Sequence, residues 1–285
     1  MVTSVRRATL AAMVLTVVVS SAIVACSIVG SPVVHPHPAD AAAAEEFDGL
    51  AGVPPNPAGW VHQTGGGGWG NRELQTYTSE PANSALDGSG HLVLTARRGP
   101  GPRGGEAWTS ARLTTKGRWA FRYGTLTARI QVPAGDGLWP AFWLLGENID
   151  AVGWPRCGEI DVFEAVNHAA EAHVGLHGPT TADKRWKLSS KVPPPSPSGS
   201  LADGFVDYGV RREPGLVVFT INGTVVKQVT RADLEPDQEW VFDQPMFVVL
   251  NIAVGGNWPG PPSRSTPDEA RMLVDRIEFR PSTSP

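Results

Sequence analysis

The chain has 285 residues, a formal net charge of −4, and two cysteines against ten tryptophans and three tyrosines. That charge excludes a general nucleic-acid binder, whose footprint is basic; the arginines between Arg97 and Arg129 are scattered among strand-like residues, as on a solvated sheet face. The tryptophan excess favours a surface on which rings stack, although indoles also fill cores and interfaces.

In chain order, Arg6 and Arg7 precede an uncharged small and apolar run, Ala8 to Ala25. Residues 1–26 therefore read as an export signal, placing the mature protein outside the cell or in the cell envelope. The run is too short, and too rich in Ala and Ser at its end, to favour a permanent membrane span. Two processing routes stay open. Ile23-Val24-Ala25-Cys26 resembles a bacterial lipoprotein box, in which a lipidated Cys26 would attach the protein to a membrane, whereas cleavage within "PADAAAAEE" would discard Cys26. Arg6-Arg7 is also a weak match to a twin-arginine signal. Residues 27–44, rich in Pro, Ala and Ser without hydrophobic periodicity, read as a linker. Residues 45–281 then suit one all-β domain.

Within that domain Gly or Pro interrupts the chain about every ten residues, and β-rich runs lie between: "HLVLTAR", "GTLTARIQVP", "LVVFTI", "TVVKQV", "MFVVLNIAVGG" and "LVDRIEFRP". Asn222-Gly223, between two alternating runs, predicts a two-residue hairpin turn. "PDEARML" is the one stretch with up to two turns of helical period, and "KVPPPSPSGS" (191–200) reads as an exposed loop. Many short strands at regular spacing point to an antiparallel β-sandwich or jelly roll. Cys157, the domain's single thiol, has no histidine at a recognisable partner spacing and reads as a buried structural cysteine. His173 and His177 form an H-x-x-x-H pair, but in a strand context without a third ligand they do not make a zinc site.

The stretch "GEIDVFE" carries Glu159, Asp161 and Glu164, with Ile, Val and Phe between them. Strict alternation would put Glu159 and Asp161 on one face and Glu164 on the other. A β-bulge at Val162 or Phe163 would reset the alternation and bring all three acids to one face. Two carboxylates about 5 Å apart suit a retaining glycosidase, one attacking the anomeric carbon and the other shuttling a proton. Repulsion among three acids would raise at least one pKa, as a general acid near neutral pH requires. A calcium site or a plain solvated face are the competing readings. Calcium sites draw on loop carbonyls rather than on Ile, Val and Phe, and a solvated face would balance its charge with lysine or threonine.

"GEIDVFE" resembles the E-x-D-x-x-E signature of glycoside hydrolase family 16, in the bulged form of its laminarinase-like (endo-β-1,3-glucanase) branch. Further similarity follows in the family's order: "EEFDG", "WGNRELQTYT", "TSARLTTKG", "GLWPAFWLLG", "WPRCGEIDVFE", "LNIAVGGNWPG" and "VDRIEF". The resemblance implies a concanavalin A-like jelly roll with a curved face forming a substrate cleft. It implies a retaining endo-glycosidase acting as a monomer on β-glucan, with no cofactor for catalysis. By position, Glu159 resembles the nucleophile, Asp161 the assisting acid and Glu164 the acid/base. Trp139 and Trp143 match residues that pack on the sugar, and Asn71, Arg112 and His177 match residues that hydrogen-bond the glucan. Glu46 and Asp275 fall near ligand positions for a structural calcium. Two departures stand out: Val206 replaces a usual histidine and Arg212 a usual tryptophan, either a tolerated change in a peripheral strand or the mark of an altered glucan grip, weaker activity or an unusual substrate. A transglycosylase, a carbohydrate-binding protein that has lost catalysis, and a calcium-dependent adhesion module remain the alternatives.

Overall fold

The structure, a computed structural model, describes Met1 and residues 42–101, 105–195 and 199–282. The expected export signal, with Arg6, Arg7 and Cys26, and most of the expected linker lie outside the described residues.

The first strands are β1 (Ala43–Glu45), β2 (Val61–His62), β3 (Gln75–Tyr77), β4 (Ser84–Leu86), β5 (Leu92–Pro100), β6 (Glu106–Ser110) and β7 (Arg112–Thr114). The middle of the chain forms β8 (Gly124–Gln131), β9 (Leu138–Gly146), a four-residue helix α1 (Ile149–Val152), β10 (Glu159–Glu164), β11 (Ala172–Pro179) and β12 (Arg185–Val192). β13 (Val206–Glu213), β14 (Leu216–Ile221), β15 (Thr224–Thr230), β16 (Met246–Val254) and β17 (Glu269–Pro281) complete it. One sheet runs β15-β14-β13-β8-β17-β5-β6-β3, with β1 on β17 and β4 on β5; the other runs β12-β11-β10-β9-β16-β7-β2. The pairings are antiparallel except β3 with β6, which is parallel. β1 begins at Ala43, so the domain claims the last residues of the expected linker.

The two sheets close on one apolar core. In β8, Leu126, Ala128 and Ile130 are fully buried while Thr125, Thr127 and Arg129 alternate outward, the pattern of a strand with one covered face. Phe163 of β10 meets Tyr208 of β13 across the sandwich, with ring centroids 4.0 Å apart. The Asn222-Gly223 turn joins β14 to β15 with positive φ at both residues (48° and 74°), as its sequence predicts. "PDEARML" is not helical. Glu269 opens β17, where Ala270 and Met272 point inward and Glu269 and Arg271 outward. Pairing with β5 decides between the two periods that this short stretch can satisfy. Lys191 and Val192, expected in the Pro/Ser loop, close β12 instead, and Val192 is buried.

Both departures from the family pattern lie in β13, in the sheet opposite β10. Val206 joins the core. Arg212 is fully buried, and its guanidinium donates to three backbone carbonyls: Phe121 (2.8 Å), Phe242 (2.5 Å) and Gln244 (2.5 Å). Its charge also lies 5.2 Å over the Phe121 ring. Arg212 thus ties β13 to the segment leading into β16, and both residues are buried in the sheet opposite the one that carries the acids.

Candidate active site

β10 carries the acids, and its register shows how. Against β9, Asp161 pairs with Trp143 and Phe163 with Phe142, so two residues of β10 advance for one of β9. Val162 is the extra residue, a bulge between Asp161 and Phe163. Ile160, Val162 and Phe163 all enter the inter-sheet core, while Glu159, Asp161 and Glu164 share the outer face. The site is set by one inserted residue.

β11 supplies the flank. Glu159 pairs with His177, Asp161 with Gly175 and Glu164 with His173. His177 Nε2 lies 3.1 Å from Asp161 Oδ2 and 3.7 Å from Glu159 Oε1. Gly175 is needed for closeness, because a Cβ there would stand 3.2 Å from Asp161 Oδ2 and 3.0 Å from the Leu188 carbonyl. Three indoles act on the cluster. Trp154 donates its N–H to Glu159 Oε2 (2.9 Å), Trp139 to Glu164 Oε1 (2.9 Å), and Trp143 to Asn251 Oδ1 (2.7 Å).

These surroundings push the two glutamates unequally. Burial first, then the charge of Asp161, raises the Glu159 carboxyl to about 7, while His177, the Trp154 N–H and Arg112 pull the other way. Burial and the charges of Asp161 and Glu159 hold Glu164 well above the usual carboxylate range, opposed by the Trp139 N–H and by Lys187. Glu164 is the natural home for a proton at neutral pH, and Glu159 the carboxylate with more cationic support. For His177, burial disfavours the cation, but the hydrogen bond to Asp161 and the charges of Asp161 and Glu159 outweigh it, so its pKa rises.

Of the remaining residues expected at the site, Arg112 lies on β7 of the same sheet and Asn71 in the turn before β3. Arg112 lies between the Trp69 and Trp143 rings, 4.7 Å from each, and donates to Gln63 Oε1 (2.6 Å). Asn71 donates to Glu73 Oε1 (3.0 Å), and its carbonyl accepts from the Asn257 amide (2.8 Å), which ties it to the loop bearing Trp258. Trp154, Trp258 and Asn251 were not singled out by sequence reasoning. Trp258 packs edge-on against Trp139 (5.2 Å) and His173 (4.7 Å), and Asn251 donates its amide N–H to the Tyr77 hydroxyl (3.1 Å) while its Oδ1 accepts from Trp143. Their only sequence signal was membership of "WPRCGE" and "LNIAVGGNWPG". Cys157 is buried beside this region; burial raises its thiol to about 11, so it stays protonated and is no nucleophile.

The expected calcium ligands do not fit a cation. Asp275 faces Arg276 (2.9 Å), Arg129 (3.3 Å) and His91 (3.8 Å), and Glu46 is an exposed carboxylate. A divalent ion there would sit among positive side chains. Among the described residues, the His, Cys, Asp and Glu groups close enough to share an ion are Glu159, Asp161 and His177, within 4.8 Å of one another. His173 stands apart from that group, so the two histidines do not pair on a metal. An imidazole already set between two carboxylates suits proton control better than a hard, oxygen-seeking cation.

Comparisons with known proteins give the family of the chain. A family model described as the XgeA-like catalytic GH16 domain matches residues 99–194. A β-glucanase of Rhodothermus marinus is 33% identical over 255 residues, covering 84% of this chain and 84% of that protein. A glucan endo-1,3-β-glucosidase of Cryptopygus antarcticus is 33% identical over 214 residues, 70% of this chain and 76% of its own length. The solved structure of an endo-β-1,3-glucanase from Pyrococcus furiosus matches with a TM-score of 0.73 at 37% identity, over 84% of this chain and 94% of that one.

Proposed function

The chain belongs to glycoside hydrolase family 16, and on that premise we propose that it hydrolyses β-1,3-glucan internally, with retention, through a glycosyl-enzyme intermediate. The observation that carries the assignment of roles is the unequal electrostatics of two glutamates brought to one face by the Val162 bulge. Glu159 attacks the anomeric carbon while protonated Glu164 donates to the departing glycosidic oxygen. Glu164, now a carboxylate, takes a proton from water; the water oxygen attacks the anomeric carbon and releases Glu159. Asp161 and His177 act on Glu159: the carboxylate holds the imidazole, and the imidazolium keeps the nucleophile ionised. Trp139 and Trp143 offer flat faces to the sugar, as indoles do for axial C–H groups. No step requires a cofactor.

The test is reducing-end release from laminarin and mixed-linkage glucan, with the anomer of the first product read by NMR. Wild type should release β-configured ends, and Glu159→Gln and Glu164→Gln should not. If wild type and Glu159→Gln are both inert yet bind glucan equally, the protein is a binding module and the proposal fails. Export, with membrane attachment through Cys26, is proposed from the sequence alone. In cells, the full chain should fractionate with membranes and Cys26→Ser should not; identical fractionation would remove the anchor from the proposal. A monomer is likewise proposed, and light scattering of the purified chain decides it.

A further inference from the structure

The cross-strand rows that build the site do not stop at the histidines. On β12, Lys187 pairs with His177, Ser189 with Gly175 and Lys191 with His173. Directly opposed residues share a face, so three rows cross the sheet: Glu159–His177–Lys187, Asp161–Gly175–Ser189 and Glu164–His173–Lys191. β12 is the edge strand of this sheet, and Arg185, two residues before Lys187, extends the same face. Arg185, Lys187, Ser189 and Lys191 are all exposed, whereas Trp186 and Val192 turn inward.

These cations are not equivalent. Lys191 is matched by Glu171, with Nζ 2.5 Å from Oε1. Arg185 and Lys187 have no carboxylate within ion-pair distance among the described residues. Instead, the Arg185 guanidinium lies 5.7 Å over the Trp154 ring and the Lys187 ammonium 5.5 Å over the Trp258 ring. Trp154 and Trp258 are the exposed tryptophans of this face, one bonded to Glu159 and the other packed on the indole that holds Glu164. Each unmatched cation therefore stands at a ring that a bound glycan would meet, on a protein whose overall charge is negative.

A neutral glucan offers hydroxyl groups to such a row and gains little from its charge. We propose that the β12 edge of the cleft is a subsite for an anionic substituent, a sulfate ester or a carboxylate, carried by the β-glycan that the enzyme cleaves. Arg185 and Lys187 are its recognising groups. Arg185 can present a two-pronged donor to either oxyanion, and Lys187 a point charge. The inference rests on the glycosidase reading of this face and adds the substrate's chemistry to it. Geometry also sets where the charge goes. Three acids at the reaction centre repel an anion, so the bond that breaks belongs to an unsubstituted sugar and the charged group lies to one side, against β12.

The experiment compares kcat/KM on laminarin, partially sulfated laminarin, and laminarin oxidised at C6 to the uronic acid, for wild type and Arg185→Gln/Lys187→Gln. In parallel, calorimetry measures binding of the same three glucans to Glu159→Gln, with and without the two β12 substitutions, so affinity is read without turnover. Wild type should favour an anionic glucan over the neutral one by about 5- to 20-fold at low ionic strength, and the ratio should collapse when salt shortens the screening length to a few ångströms. The double variant should bring the ratio near one. Using the ratio cancels any effect of Lys187 on the carboxylates themselves. A preference for sulfate alone, or for carboxylate alone, supports the subsite and names its ligand. A wild-type ratio at or below one in both measurements, or a ratio unchanged by the double substitution, overturns it. If no glucan is hydrolysed the reading of the site as an active glycosidase falls, and the binding ratio still decides the subsite.

Discussion

The molecule buries charge in two places, and the two are built in opposite ways. At Arg212 a guanidinium lies wholly inside the sandwich, yet three carbonyls meet its donors and its task is to hold one segment to another. At β10 three carboxylates crowd one face, Asp161 Oδ2 is buried without a well-formed hydrogen bond, and the two glutamates are driven off their usual protonation range. The first arrangement meets the two terminal nitrogens of its charge, leaving only Nε without a partner, and gains cohesion. The second leaves charge under-satisfied and gains reactivity, at the expense of stability.

The sharpest way to test that contrast is to neutralise one member of each place. Glu159→Gln should lower hydrolysis by about four orders of magnitude or more, as for loss of a nucleophile, while thermal midpoint holds or rises. Arg212→Met should do the reverse. Three carbonyls lose their donor, so urea titration should show a loss of about 3 kcal/mol, with kcat per folded molecule unchanged. A variant at either site that damaged both properties equally would erase the distinction.

pH refines it. In the folded state burial and the charge of Asp161 push the Glu159 carboxyl up to about 7, above its ordinary 4.5. The folded state therefore holds a proton that the unfolded state has released, and its stabilising effect is present below pH 4.5 and lost as pH rises through 7. Wild type should weaken across that window and Glu159→Gln should not, a difference of about 3 kcal/mol at pH 8, read by denaturation at both ends. His177→Gln removes the imidazolium beside Glu159, so the acidic limb of the kcat/KM profile should move up by about one pH unit. Trp154→Phe deletes a single N–H to Glu159 at a ring that is partly exposed, and activity should fall only about fivefold. An acidic limb that ignores His177 would mean that it titrates another group.

Much of this was legible in the residues. The spacing of Glu159, Asp161 and Glu164 demands a bulge, because apolar Val162 and Phe163 cannot both face the core on a regular strand. The order of the motifs, through the family they resemble, carries the jelly-roll fold with it. Other features were not legible, and the reasons are physical. "EARML" satisfies a helical and a strand period at once, and only β5 beside it decides. Arg212 is only a departure from the family's tryptophan until the Phe242 and Gln244 carbonyls, about thirty residues away, are seen to converge on it. Trp154 reaches Glu159, and Trp258 reaches Trp139, from loops whose paths follow from tertiary packing and not from periodicity. The calcium expectation at Asp275 fails for the same kind of reason, since Arg129 reaches that carboxylate from another strand.

Cys157 has a practical consequence. It is the one thiol among the described residues, and it packs with Leu145, Phe247 and Val249 under the loop that precedes Glu159. The loop is pinned there: the Cys157 carbonyl takes the Gln244 amide at 2.6 Å and approaches so near to β9 that a Cβ at Gly146 would collide with it. A thiol reagent can reach the sulfur only when this loop lifts, so the labelling rate becomes a clock for breathing at the Glu159 end of the acidic row. A glucan bound across Trp154 should slow that clock, reporting occupancy in a protein to which no probe has been added.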